Sequence, residues 1–214
     1  MIISPGRNYI FVHIPKTGGT SMALALEGRA MKDDILIGDT PKAKRRRNRL
    51  KGAKAAGRLW KHSTLADIDG LVTAEQIERA FVFTLVRNPW DRMVSYYHWL
   101  RDQGFEHPAV TLARKVDFST FLNAPMTQAS MTATPYGHYV TDARGAERCD
   151  AFIRLEYLET DCQSLCDHLG FQLELPVNNQ SARDRDYRKY YSDRDSALVK
   201  TLFDQDIARF GYSY

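Results

Sequence analysis

Asn8-Tyr-Ile-Phe-Val-His-Ile14 runs directly into Pro15-Lys-Thr-Gly-Gly-Thr-Ser21, and Met22-Ala-Leu-Ala-Leu26 follows. The first stretch is rich in aromatic and β-branched residues, the pattern of a buried strand. The last begins a helix. Between them, Gly18 and Gly19 let the backbone approach a ligand closely. The amides of Gly18, Gly19, Thr20 and Ser21 then point at one spot, where a helix N-terminus adds positive partial charge. Lys16 supplies a full charge, and Thr17, Thr20 and Ser21 supply hydroxyl donors. The stretch therefore predicts a phosphate cradle. It is not a Walker A loop, in which the lysine follows the glycines. A tight turn with an incidental lysine is the competing reading of this stretch alone.

The same order recurs further along. Phe81-Val-Phe-Thr-Leu-Val86 and Asp150-Ala-Phe-Ile-Arg-Leu155 read as two more buried strands. Strands alternating with helices predict an α/β fold with a mostly parallel sheet covered on both faces. Ligands in such folds bind at the carboxyl ends of the strands. Arg87 stands at such an end, placed to grip a phosphate through two N–H groups. Asn88 caps the next helix, Pro89 takes its first position, and Met93, Tyr97 and Leu100 form its core stripe. Ser95 is placed to donate to the same anion. The alternative for Arg87 is a pairing with a local acid.

Elsewhere, Thr73-Ala-Glu-Gln76 fits a capping box. Asp117–Leu122 reads as a short helix, 123–149 as loop-rich, and Glu159–Leu169 as a helix closed by Gly170. Ser192 opens a last helix whose apolar face runs from Leu198 to Ile207. No repeat or domain boundary is visible, so residues 1–214 are expected to form a single domain.

The net charge of +4 is unevenly spread: ten of the 30 Lys and Arg lie between Lys42 and Lys61, with no acid among them. Removing those ten leaves 20 basic against 26 acidic residues, a net of −6. The stretch has no apolar period and reads as a loop or exposed helix. No apolar run approaches the ~20 residues of a membrane helix, and the first residues do not read as a signal peptide. The expected setting is the cytoplasm, without membrane insertion. Cys149, Cys162 and Cys166 are too few for a disulfide framework and, with only His168 nearby, for a metal site. They are expected as structural thiols, and no metal is expected.

Taken together, the two phosphate motifs are specific. Val12-His-Ile-Pro-Lys-Thr-Gly-Gly-Thr-Ser21 resembles the 5′-phosphosulfate loop of sulfotransferases that use 3′-phosphoadenosine 5′-phosphosulfate (PAPS). Phe83-Thr-Leu-Val-Arg-Asn-Pro-Trp-Asp-Arg-Met-Val-Ser-Tyr-Tyr97 resembles their 3′-phosphate motif. The similarity is greatest to the carbohydrate branch, the heparan sulfate 2-O-type and bacterial members. Lys61-His-Ser-Thr-Leu-Ala-Asp67, Arg154–Asp161 and Asn178–Tyr214 match further family segments. The poorly matched parts, Lys32–Arg58 and Asn123–Arg148, are where acceptor contacts usually vary.

The resemblance implies a three-layer fold like that of P-loop kinases, and in-line transfer of a sulfuryl group from PAPS to a hydroxyl of a carbohydrate or glycoconjugate. It implies no metal, no nucleic acid, and adenosine 3′,5′-bisphosphate (PAP) as the second product. Lys16 would stabilise the leaving phosphate, Thr17 to Ser21 would hold the 5′-phosphate, and Arg87 and Ser95 would hold the 3′-phosphate. Ser181 and Arg183 match a late loop that closes over that phosphate. The acceptor hydroxyl needs a base, a role that histidine suits near neutral pH. His62 matches the family's Lys-His position. His138 lies in the acceptor region. His13, His98, His107 and His168 read as structural. The competing functions are a small-molecule kinase, which would place its lysine after the glycines, and a binder of acidic polymers through Lys42–Lys61, which would leave both phosphate motifs unexplained.

Overall fold

A computed structural model describes residues 1–176 and 183–214. The strands are β1 (Ile2–Ser4), β2 (Tyr9–Val12), β3 (Ile35–Leu36), β4 (Phe81–Val86) and β5 (Ala151–Arg154). The helices are α1 (Gly19–Gly28), α2 (Pro41–Arg46), α3 (Ala74–Arg79), α4 (Pro89–Arg101), α5 (Pro108–Lys115), α6 (Phe118–Asn123), α7 (Pro125–Thr132), α8 (Tyr136–Tyr139), α9 (Leu158–Asp161), α10 (Gln163–Leu169), α11 (Asp193–Leu202) and α12 (Asp204–Phe210).

One sheet runs in the order β3-β1-β2-β4-β5. β2, β4 and β5 pair in parallel, with Val12 opposite Thr84 and Val86 opposite Arg154. β1 is antiparallel to both its neighbours. Every strand but β1 thus points the same way, and the mostly parallel sheet is as expected. The parallel register brings the carboxyl ends of β2 and β4 to one edge, where the chain enters Pro15–Ser21 and Arg87 respectively.

Two compact units emerge, Met1–Val86 with Tyr136–Asn178, and Arg87–Pro135 with Asn179–Tyr214. The first holds the sheet. Alternate residues Tyr9, Phe11, Phe83, Leu85 and Ile153 pack with Met22 and Leu26 of α1 and Leu165 and Cys166 of α10. The intervening Ile10, Val12, Val82 and Val86 are buried as well. Both faces of the sheet are covered, which is why these strands read as continuous apolar runs. Each such side chain contributes roughly 1.5–3 kcal/mol by burial. None of the three cysteines forms a disulfide; Cys162 and Cys166 are buried, and burial pushes the Cys162 thiol up to about 11.

The second unit is helical. Met93, Tyr97 and Leu100 of α4 are buried as their spacing predicts, and Tyr97 packs against Phe118 and Phe121 of α6. The Asp195 carboxylate of α11 accepts hydrogen bonds from Ser192, Ser119 and Asn123.

Several expectations need correction. β1 and β3 are too short to leave a periodic signal and were not expected. Residues 123–149 hold α7 and α8 rather than loop, because Pro125 opens a helix instead of marking a break. The helix expected over Glu159–Leu169 divides at Cys162. The last helix breaks at Phe203, whose backbone lies at φ −122° and ψ 25°.

The basic stretch is partly helix. Thr40 caps α2, its hydroxyl also donating to Glu27, and Ala43 is buried. Lys42 donates to the Glu27 carbonyl, Arg49 to the Lys32 carbonyl, and Arg46 to the Met31 carbonyl at 2.7 Å. These three cations are anchors, whereas Lys44, Arg45 and Arg47 are exposed.

Candidate active site

The turn after β2 is built by two left-handed residues. Lys16 has φ 66° and Gly18 has φ 85°. A non-glycine residue held at positive φ is uncommon; Asn8, at φ 52°, is the other among the described residues. Glycine is required twice over. A Cβ on Gly18 would lie 2.7 Å from Leu155 Cδ1, and one on Gly19 would lie 2.1 Å from the His13 ring. Thr17 is fully buried and its hydroxyl donates to the Ile14 carbonyl at 2.9 Å. That proton is therefore committed inside the turn, and so is the Ser21 amide, which was expected at the ligand but donates to the Gly18 carbonyl at 3.0 Å; the donors left to a ligand come from the amides before it and the half-buried Thr20 and Ser21 hydroxyls. α1 opens without a side-chain cap and without an acid in its first turn, so its N-terminal partial charge is uncompensated.

His62 stands beside this turn. Its Nδ1 is 2.7 Å from the His13 carbonyl oxygen. A carbonyl only accepts, so Nδ1 carries the proton and Nε2 carries the lone pair. The His13 and Trp60 rings meet it edge-on at 4.6 and 5.0 Å. Burial holds the His62 imidazole down to about 4, opposed by the bond to His13. His62 is thus neutral at physiological pH, with its acceptor nitrogen defined. Lys61 is ion-paired with Asp39 at 2.7 Å. Trp60 is 43% exposed with the Arg58 guanidinium 5.7 Å from its ring centroid; neither residue stood out in the sequence.

In the helical unit, Arg87 does pair with a local acid: its Nε and Nη2 lie 2.9 and 2.6 Å from Asp91. The second Asp91 oxygen is held by Arg183. Asp91 thus aligns two arginines that the sequence placed at the 3′-phosphate, and the pairing orients Arg87 rather than neutralising the pair. The Arg87–Asp91 spacing of four was the available signal for it. The Arg183 side chain is only 9% exposed, and its Nη1 is buried without a hydrogen-bond partner. Ser95 is buried one turn beyond Asp91 on α4. Ser181 lies outside the described residues.

The remaining histidines are placed much as expected. His107 caps α5, His168 donates to the Arg7 carbonyl, and His138 is exposed. His13 is buried, but it faces the phosphate turn rather than generic core.

The sequence profile described as the sulfotransferase family matches residues 1–213. The chain belongs to the sulfotransferase family. Among solved structures, this sulfotransferase is similar to mouse sulfotransferase SULT7A1 complexed with PAP, at a TM-score of 0.54 and 15% identity, covering 96% of this chain and 85% of the mouse one. That likeness supports the expected fold, which resembles that of P-loop kinases. No curated protein matches the sulfotransferase in sequence. Among its described residues, no helix is long and apolar enough to cross a membrane.

Proposed function

We propose that this sulfotransferase moves a sulfuryl group from PAPS to a hydroxyl of a carbohydrate-type acceptor, with residues 1–214 acting as one domain in the cytoplasm. The observation that carries the reading is the turn at Pro15–Ser21, where Lys16 is held at positive φ beside an uncapped helix N-terminus. The mouse relative was crystallised with PAP, the product that PAPS leaves behind. The turn fits the donor's 5′-phosphosulfate end. Arg87, Ser95 and Arg183, aligned by Asp91, fit its 3′-phosphate, and the buried Nη1 of Arg183, without a hydrogen-bond partner among the described residues, needs an acceptor that a phosphate oxygen supplies. Ser181 is proposed to join them.

The acceptor oxygen bonds to sulfur as the bond from sulfur to the bridging phosphate oxygen breaks, and PAP departs. Lys16 and the α1 amides stabilise charge growing on the leaving phosphate. His62 Nε2 takes the hydroxyl proton. No metal is needed, because the cradle itself supplies the positive charge. Trp60 supports a sugar as acceptor: an exposed indole beside the proposed base offers a flat apolar face, with Arg58 behind it for an acidic substituent.

The 3′-phosphate reading is tested by calorimetry. PAP should bind much more tightly than AMP, and Arg87→Ala should weaken PAP about ten- to a hundred-fold, the loss of a charge-assisted bond worth roughly 1.5–3 kcal/mol, while leaving AMP unchanged. Equal affinity of the wild type for both nucleotides removes the assignment.

Arg45 and Arg47 are proposed as a rim that attracts an anionic acceptor. The double variant Arg45→Ala/Arg47→Ala should raise the acceptor KM and flatten its salt dependence with little change in melting temperature. Arg46→Ala, which loses carbonyl anchors, should instead lower the melting temperature. The opposite pattern, with the double variant unfolding early and its kinetics intact, makes the rim structural.

A further inference from the structure

We infer that His98 is an additional ligand of the donor's 3′-phosphate, binding it as the imidazolium and so coupling nucleotide binding to the uptake of a proton. The inference rests on the 3′-phosphate reading of Arg87, Ser95 and Arg183.

Asp91, Ser95 and His98 succeed one another at helical spacing on α4, and residues so spaced share one face. Arg183 reaches Asp91 on that face and acts on the charge of His98. Two side-chain nitrogens there, Arg183 Nη1 and His98 Nε2, are buried without a hydrogen-bond partner. Such atoms are rare in folded proteins and each needs an explanation. A guanidinium N–H could donate to a neutral ring nitrogen, but the two do not bond to each other here, and an acceptor placed between them would satisfy both. A phosphate is that acceptor: it takes a hydrogen bond from Nη1 and, once the ring is protonated, another from Nε2.

The charges around the ring set the direction of the coupling. Burial first, then Arg183 and Arg101, hold the imidazole below its ordinary value, and Asp102 opposes them. The flanking rings are Tyr97 and Tyr190, at 5.4 and 5.1 Å. Asp91 is already shared by two arginines. Without nucleotide, His98 is therefore neutral near pH 7. A phosphate dianion beside it favours the imidazolium, so a proton is bound as the nucleotide binds. Affinity should then fall as the pH rises above neutrality.

The test is titration calorimetry of PAP and AMP against the full chain at pH 7.5, in two buffers of different ionisation enthalpy. At that pH the phosphate is already a dianion, so its own titration adds little. The wild type should take up a substantial fraction of one proton with PAP and less with AMP. His98→Gln keeps a neutral donor and should lose that uptake while retaining part of the affinity. His98→Ala should weaken PAP by ~10-fold or more and leave AMP unchanged. The affinity of the wild type for PAP, followed from pH 6.5 to 8.5, is a second readout that needs no variant. Discrimination between PAP and AMP without uptake in the wild type, or with the same uptake in His98→Gln, overturns this inference alone. No discrimination at all overturns the 3′-phosphate reading beneath it.

Discussion

His62→Ala should turn over ~10²–10⁴-fold more slowly, the usual contribution of a positioned general base, while binding PAP almost as the wild type does. The separation follows from the geometry. Nδ1 is occupied by the His13 carbonyl, so Nε2 is the only nitrogen left to accept a proton. Burial holds the ring down to about 4, well below its ordinary value. The acidic limb of the turnover profile should therefore lie near that value rather than near 6.5, and it should vanish in the variant. The same shift has a stability signature. Because the folded form binds the proton more weakly than the unfolded chain, the unfolded chain holds more protons between the two pKa values. Stability from this group is then complete above pH ~6.5 and is lost as the pH falls towards 4. Melting temperature against pH should slope less steeply through that window in His62→Ala. A variant with near-normal turnover and an unchanged acidic limb makes another group the base, with His138 next in line.

The parts of the fold that were legible in the sequence are those in which a local pattern and a burial pattern coincide. β4 is apolar but for Thr84, whose buried hydroxyl donates to the Val12 carbonyl, because both its faces are covered, and its limits match the expected Phe81–Val86. The caps at Thr73, Asn88 and Ser192 all accept the expected backbone bonds, since capping is decided by a few neighbouring residues. β1 and β3 take their structure from pairing at the sheet edge, and three or two residues carry no period of their own. α7 was hidden by Pro125, which breaks helices everywhere except at their start. The basic stretch reads as either loop or exposed helix because its order comes from contacts to Glu27, Met31 and Lys32, outside the stretch itself.

The candidate site divides in the same way. Lys16, the two glycines and Arg87 were visible because their chemistry sits in contiguous motifs. The tautomer of His62 depends on a backbone carbonyl 49 positions away. The roles of Asp91 and His98 depend on Arg183, far along the chain. Thr17 was read as a ligand donor because hydroxyls at such turns often are; only the structure shows its proton used by Ile14. His13 was read as core, and its place against Gly19 explains why that glycine tolerates no side chain.

Lys16 allows catalysis and folding to be pulled apart in one position. Its left-handed backbone, at φ 66°, costs a non-glycine residue roughly 1–2 kcal/mol, and glycine adopts it freely. Lys16→Gly should therefore fold with an equal or higher melting temperature, the relief of strain offsetting the greater entropy of the unfolded chain. The same substitution removes the cation proposed to face the phosphate as sulfur leaves it. Charge there is greater in the transition state than in bound PAPS, so the loss falls on transfer more than on binding. The rate constant for transfer should fall by about 10²–10³, the scale set by removing one donor from a charge-stabilising site, with PAPS affinity changing much less. Lys16→Arg keeps the charge at the strained backbone and should restore part of the rate without the gain in stability. Single-turnover transfer, PAPS binding and thermal unfolding of the three proteins decide it. If Lys16→Gly loses stability and keeps its rate of transfer, the lysine belongs to the fold and the charge on the leaving phosphate is met by the α1 amides alone.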